Sequence, residues 1–425
     1  MVTFENKRDQ ILADGRTFSE SVSIRNCNNC QLVNCKFDGT DSKDGDKLLD
    51  VRDVKNCKFI KCEFFGKKNG GLCLNLTGAK SDGNEVTDCY WHDIASTTAN
   101  GAEPFRIGNS NLSHCWLNTK VENCRFENIK TTEPELISIK SCGNWILNSQ
   151  IKNCTCDITV RHGHTNTIQG GTIEGDCGIR VHGKSNKIDG VKFKNNKHSK
   201  RVPIRICNGD TEIDPNEKAG IALGTANKSG HATYTQVKGG SIINCVFENC
   251  LHPVKWGERD NKFKPGGVKF VDNHYLADKV ECTVIEFSHG ATEAGNVFQD
   301  NTYEGKVKIP SKIADGFKKG KDNVPEPDHA PDPEPEEPTG EPIVEPPPQP
   351  EENPAEQPAD EPPKYARVCQ VDGQEEGKKV VGVWLCPEDA ELIRPMMQQW
   401  WSGIRAAIKS GEIKPRVLID QEDNA

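Results

Sequence analysis

Along residues 1–320 the hydrophobic positions fall in short bursts that alternate with polar neighbours, the period-two pattern of a strand with one buried face. Helical periodicity is almost absent. The bursts share a phrase, Asn-Cys-x-aromatic, seen in Asn34-Cys35-Lys36-Phe37 and Asn123-Cys124-Arg125-Phe126. Its large apolar residue recurs at Phe37, Phe64, Trp91, Phe126, Ile151, Ile173, Phe193, Phe247, Phe270 and Phe298. Most steps are 20 to 28 residues; the step to Phe126 is 35 and the step to Phe247 is 54. Short strands at a near-fixed period, none able to bury its inner face alone, indicate a solenoid. A propeller competes, but its blades take about 40 residues or more. Coils of about 22 residues with Asn-rich turns predict an all-β fold, a right-handed parallel β-helix of about ten coils. The long step before Phe247 places a loop excursion around Cys207 to Gly240.

After Phe298 the repeat fades, and Lys318–Asp322 closes the ordered body. Val324 to Lys364 is a Pro/Glu tract that cannot bury a core and reads as an extended, self-repelling spacer. Tyr365 to Ala425 carries a strand-like VVGVWLC and, from Pro387-Glu388-Asp389, an amphipathic run to about Lys409. The expected organisation is a β-helix over 1–321, a linker over 322–364 and a small α+β domain over 365–425. In that last domain Met396, Met397, Trp400 and Trp401 form either its core or a docking face for a protein partner. Cys369 and Cys386 pair or remain free.

The formal charge of −9 conceals an asymmetry. From Asp322 onward there are 9 Lys and Arg against 24 Asp and Glu, so the totals of 54 and 63 leave 45 and 39 for residues 1–321, a net of +6. A mildly basic body suits an anionic partner. No segment approaches the roughly 20 apolar residues of a membrane span, so membrane insertion is not expected. The first residues, MVTFENKRDQILADG, lack the basic-then-apolar pattern of a secretory signal. Of the 19 cysteines, most sit in the Asn-Cys-x-aromatic phrase without zinc-type spacing and read as small, reduced core residues.

Within the repeat, equal offsets from the ladder position stack on neighbouring coils. Asn100 is 9 residues after Trp91, Glu135 is 9 after Phe126 and Arg161 is 10 after Ile151. Lys140 is 14 after Phe126, and Arg106 is 15 after Trp91. Polar groups from three successive coils therefore converge on one patch. Glu133 and Glu135 share a strand face, whereas Lys140 reaches it only if a bend intervenes. A salt-bridge row is the plain alternative. Two carboxylates and an Asn carbonyl, however, are hard oxygen ligands suited to calcium. A lysine beside such an ion and an arginine is pushed toward its neutral form and becomes a candidate general base.

The run Glu133-Pro-Glu135-Leu-Ile-Ser-Ile-Lys140-Ser141, followed by Val160-Arg161-His162-Gly163, resembles polysaccharide lyase family six, which includes alginate lyases and chondroitinase B. Asn100-Gly-Ala-Glu103-Pro-Phe-Arg106-Ile-Gly108 is similar to that family's N-G-x-E-x-x-R-I-G segment, and Gly178-Ile-Arg180-Val-His-Gly183 to its G-[GI]-R-V-x-G segment. Pro104 departs from the family's small or aliphatic residue there. The resemblance implies a right-handed parallel β-helix and a calcium-assisted β-elimination. Asn100, Glu133 and Glu135 would hold Ca2+, and Lys140 would remove the C5 proton of a uronate. Arg161 would stabilise the departing O4, with His162 as a reserve donor and Arg106 and Arg180 as carboxylate clamps. The implied partner is an anionic polysaccharide, alginate ahead of dermatan sulfate, cut in endo mode, and not a nucleic acid. A non-catalytic binding β-helix of a viral spike or adhesin is the reading of a different class, and a uronate epimerase a further one. The full Asn100, Glu133, Glu135, Lys140, Arg161 set favours the lyase, because a binding module has no use for a base beside a metal.

Overall fold

Each burst becomes a strand of a few residues, and strands of equal phase pair in parallel. The computed structural model describes residues 1–219 and 232–320, together with the backbone of residues 366–367 and 384–385. Three sheets result. One has eleven strands, from Val2–Glu5 to Ile285–Phe287; a second has eleven, from Ile11–Asp14 to Val297–Gln299; a third has twelve, from Thr17–Phe18 to Phe317–Lys319. Successive strands go to successive sheets and every third returns to the first, so the chain winds as a parallel β-helix. It makes eleven coils where the repeat predicts about ten.

The Asn-Cys-x-aromatic phrase is the corner between the second and third sheets. Asn34, Asn123, Asn153 and Asn244 all take a left-handed backbone, with φ between 52° and 56°. Asn tolerates that region better than most residues. The following cysteine turns inward, and its thiol donates to the carbonyl two residues back, as Cys35 does to Val33 at 3.3 Å. All 17 described cysteines are free and buried, in agreement with the reduced-core reading. The aromatic residue then enters a continuous stack. Ring centroids lie 4.7 Å apart for Phe37–Phe64, 4.8 Å for Phe64–Trp91 and 4.7 Å for Trp91–Phe126. These distances match the strand spacing itself.

The ladder differs from its sequence assignment at one end. Phe270 and Phe298 belong to the second sheet, where Ile242 pairs with Phe270 and Phe270 with Phe298. The third-sheet stack continues from Phe247 to Tyr275 and Tyr303. There the phrase changes to Asp-Asn-x-Tyr, and Asn273 and Asn301 occupy the inward cysteine position, bonded to each other at 3.0 Å.

Residues 208–219 and 232–240 form the expected excursion beside the first sheet. A one-turn helix, Pro215–Lys218, is capped by Asp214, whose buried carboxylate also accepts from the Ser113 hydroxyl at 2.9 Å. The amide of Asn216 donates to the same hydroxyl at 2.7 Å, and Lys184 reaches Glu217 at 2.8 Å. Among the described residues no helix is long and apolar enough to cross a membrane.

The chain divides into two compact units, Met1–Pro335 and Glu336–Ala425. Described residues of the second are the antiparallel pair Ala366–Arg367 and Trp384–Leu385. The proposed Pro/Glu linker, the docking residues Met396, Met397, Trp400 and Trp401, and both Cys369 and Cys386 lie outside the described residues.

Candidate active site

Six consecutive strands of the first sheet carry the charged patch: β1 (Phe105–Gly108), β2 (Glu135–Lys140), β3 (Asp157–His162), β4 (Ile179–Val181), β5 (Ile204–Cys207) and β6 (Val254–Glu258). Inward residues are aliphatic or aromatic, such as Phe105, Ile107, Ile137 and Ile139, all fully buried. The outward row, in register across the six strands, is Arg106, Ser138, Thr159, Arg180, Arg205 and Lys255. Lys140 shares this face with Ser138, whereas strict alternation would put Glu135 on the inward face with Ile137 and Ile139. The irregularity expected between Glu135 and Lys140 is a bulge that leaves Leu136 over, since Glu135 pairs with Asp157 and Ile137 with Ile158, and the register shifts a second time between Ile139 and Lys140. Arg161 is the residue left over at the second shift, since Val160 pairs with Ile139 and His162 with Lys140. A bulge of this kind re-aims a side chain. Gly108 ends β1, Gly163 follows β3 and Gly183 lies two residues past β4, all with positive φ; a Cβ on Gly163 would stand 2.0 Å from the Ser141 carbonyl oxygen.

Glu135 is the centre. Its Oε1 receives Arg180 Nη2 at 2.5 Å and lies 3.7 Å from Arg161 Nη1, while Oε2 accepts from the Ser138 hydroxyl and lies 4.0 Å from Lys140 Nζ. Lys140 donates to Glu103 Oε1 at 2.9 Å, with both side chains almost fully buried. The sequence argument had not assigned Glu103 a role, although the residue lies inside the Asn-Gly-x-Glu segment. Burial pushes the Glu103 carboxyl up, but Lys140 and then Arg106 outweigh it and hold the group below its ordinary range. Burial lowers Arg161, but the charges of Glu135, Tyr234, Glu103 and Glu133 together outweigh it and hold the guanidinium above its usual value.

Glu133 turns toward the preceding loop, where its Oε2 accepts the Gly101 amide at 2.9 Å. Burial, and then the charges of Glu103 and Glu135, push its carboxyl up to about 7. Asn100 is exposed beside Gly101. Arg106 lies against Asn75, its Nε donating to Oδ1 at 3.0 Å. The structure thus gathers Glu135, Lys140, Arg161 and Arg180 at one point, with Glu133, Asn100 and Arg106 on its border. His162 goes elsewhere. It is 1% exposed, with Nε2 3.5 Å from the Ser110 hydroxyl and its ring facing Tyr234.

Tyr234, on the returning limb of the excursion, was not visible in the repeat. Its ring stacks on the His182 ring at 4.4 Å, and the guanidinium carbons of Arg259 and Arg161 lie 4.3 and 5.7 Å from its centroid. Burial, then Arg180 and Arg259, push His182 well below the usual imidazole range, so it is neutral. Arg205 bridges Asp157 and Glu258. A sequence signal for Arg205 existed: Phe-Arg-Ile at 105–107 and Ile-Arg-Val at 179–181 repeat as Ile-Arg-Ile at 204–206.

The donor chemistry suits a hard cation. Glu103, Glu133 and Glu135 crowd together enough to raise Glu133, and the buried Glu103 Oε2 has no hydrogen-bond partner. Among the described residues no three His, Cys, Asp or Glu side chains are grouped so as to hold a metal ion, so the fit rests on the carboxylate crowding and on oxygen ligand type.

The chondroitinase B family model matches residues 8–302. No curated protein matches the chain. Among solved structures, a PL6 alginate lyase in complex with a trisaccharide is 17% identical, covering 76% of this chain and 81% of that one, with a TM-score of 0.57. A mannuronic acid specific family 6 lyase from human gut microbiota is 17% identical over 75% and 83% of the two chains, with a TM-score of 0.53. The alginate lyase AlyF-OU02 with G6 is 17% identical over 76% and 81%, with a TM-score of 0.54. At that identity these neighbours establish the shared fold.

Proposed function

The chain belongs to the chondroitinase B family and is a polysaccharide lyase, and from that premise we propose that it cleaves alginate by β-elimination with Lys140 as the base. The observation that carries the assignment is the convergence of Lys140, Arg161 and Arg180 on the single buried carboxylate of Glu135.

Lys140 removes the proton from C5 of the uronate; the electron pair forms the C4–C5 double bond as the C4–O4 bond breaks. Glu103, whose Oε1 accepts from Lys140 Nζ at 2.9 Å, orients the amine toward that proton. Arg161, aimed by its bulge and held cationic, stabilises the charge that develops on O4. Glu135 fixes both guanidiniums by paired charge-assisted contacts. Glu133, Glu135 and Asn100 would hold a calcium ion, whose charge would neutralise the uronate carboxylate and acidify the C5 proton. Arg106 and Arg180 orient neighbouring carboxylates.

Alginate is favoured because solved structures of similar fold include alginate lyases. Endo cleavage fits an outward row that continues past the base on both sides, to Asn75 and Asp50 on one and to Arg205 and Lys255 on the other. The test is ultraviolet absorbance of the conjugated unsaturated uronate, followed on alginate blocks, dermatan sulfate and pectate. Absence of that absorbance on every polymer would overturn the reading.

A further inference from the structure

Most cations along the groove already face a protein carboxylate. Lys140 has Glu103, Arg161 and Arg180 share Glu135, Arg205 lies between Asp157 and Glu258, and Lys255 stands 3.8 Å from Glu286. Arg106 donates to the neutral Asn75, and Arg259 is different again. Among the described residues no carboxylate lies within ion-pair distance of it, and its guanidinium rests on the Tyr234 ring.

The backbone is built to aim it. Arg259 has φ +78°, a left-handed conformation that non-glycine residues adopt at a cost and that clusters at functional sites. Two residues earlier Gly257 has φ +83°, and a Cβ there would stand 2.3 Å from the Ala291 Cβ. The fully buried Asn208 locks the turn, its side-chain amide donating to the Gly257 carbonyl at 3.1 Å and the Arg259 carbonyl at 2.6 Å. Because Arg161 and Arg259 share one ring, their guanidinium carbons are no more than about 10 Å apart. Beside them Arg180 and Arg205, each more than nine-tenths buried, carry Nε–H groups without an acceptor. Buried donors left unpaired in a cationic groove point to an anionic ligand that supplies the acceptors.

We propose that Arg259 is a substrate-binding residue that takes the carboxylate of a uronate neighbouring the one handled by Lys140 and Arg161, held in place by Tyr234 and the Gly257–Arg259 turn. This deepens the lyase reading and rests on it. A clamp at this distance from Arg161 recognises a polymer with acids on nearby consecutive sugars. It gives little to a chain in which uronates alternate with hexosamines.

The test is calorimetric binding of two oligosaccharides, a hexauronate prepared from alginate and a desulfated dermatan-derived hexasaccharide. It uses a protein stopped from turnover by Lys140→Met with Glu103→Gln. Adding Arg259→Ala weakens hexauronate binding about 10- to 100-fold, the range for one charge-assisted contact. Binding of the alternating hexasaccharide changes less than about twofold. Arg259→Lys restores part of the loss, and Tyr234→Leu reproduces part of it with Arg259 still present. Arg259→Gln keeps the side-chain length and serves if the alanine variant does not fold. Unchanged hexauronate affinity, or an equal loss for both oligosaccharides, overturns the assignment. Failure of the lyase reading would show separately, as no unsaturated product from the wild-type protein.

Discussion

The pair Lys140–Glu103 allows catalysis and stability to be separated in one experiment. Lys140→Met removes the cation from a contact of 2.9 Å in which the side chains are 7% and 2% exposed. Glu103 is then left buried opposite an apolar group. Breaking a buried pair from one side costs about 3–5 kcal/mol. The cost is largest at neutral pH and shrinks on acidification, as Glu103 becomes protonated and needs no partner. In the wild type the sign is the reverse: Glu103 sits below its ordinary range, so its contribution is present above the unfolded carboxylate pKa and is lost as pH falls through the folded value. Adding Glu103→Gln to Lys140→Met removes the orphaned charge and recovers most of the stability, with a coupling of about 2 kcal/mol or more in the double-mutant cycle. Turnover is not recovered. It stays about 10²–10⁴-fold below wild type, the usual effect of losing a positioned base. Urea denaturation reads the first quantity and ultraviolet absorbance of the product the second. Recovery of turnover together with stability in the double variant would refute Lys140 as the base and leave it a structural ion pair.

Lys140→Arg is expected to lose nearly as much turnover as Lys140→Met, because a guanidinium does not shed its proton near neutral pH; Arg161→Lys keeps partial activity, and equal behaviour at both sites on steady-state assay would contradict the division of roles. Chelation should abolish turnover and added calcium restore it; full rate in excess chelator removes the metal from the proposal. Glu133, raised from 4.5 to about 7, binds its proton more tightly folded than unfolded, so its contribution is present at acid pH and is lost as pH rises through about 7. Glu133→Gln therefore stabilises the protein by up to about 3 kcal/mol at pH about 8 relative to its effect at pH about 5, and thermal melts showing the same effect at both would exclude the raised carboxyl.

The fold was legible because a solenoid writes its period into the chain: left-handed Asn, inward Cys, stacked aromatic. It was misread only where that phrase changed, at Asn273 and Asn301, so that Phe270 and Phe298 were placed one sheet away from their true position. Offsets within the coil brought Glu135, Lys140 and Arg161 to one patch and required a bend before Lys140, but could not show that it takes the form of a bulge at Leu136 or that a second bulge aims Arg161. Glu103 was hidden because the offset argument weighed ladder distance and not the partner a buried lysine requires. Tyr234 and Arg259 were out of reach for a different reason: one arrives on an excursion outside the repeat, the other on a turn whose geometry depends on Gly257 and Asn208. Contacts made by non-repeating segments leave no periodic trace.

The row of inward cysteines has a use as a clock. Burial holds Cys57, Cys142, Cys154, Cys207, Cys245 and Cys250 up to about 12. The reactive thiolate is therefore nearly absent at these positions while the coils stay closed. Once a coil opens, its thiol returns to ordinary reactivity and a pulse of alkylating reagent marks it permanently. Because these residues are spread from the third coil to the ninth, mass spectrometry of pulse-labelled protein would read out the order in which the solenoid comes apart. Labels spreading inward from the ends would mean that neighbouring coils open one after another; labels appearing at all positions together would mean that the stack opens as one unit.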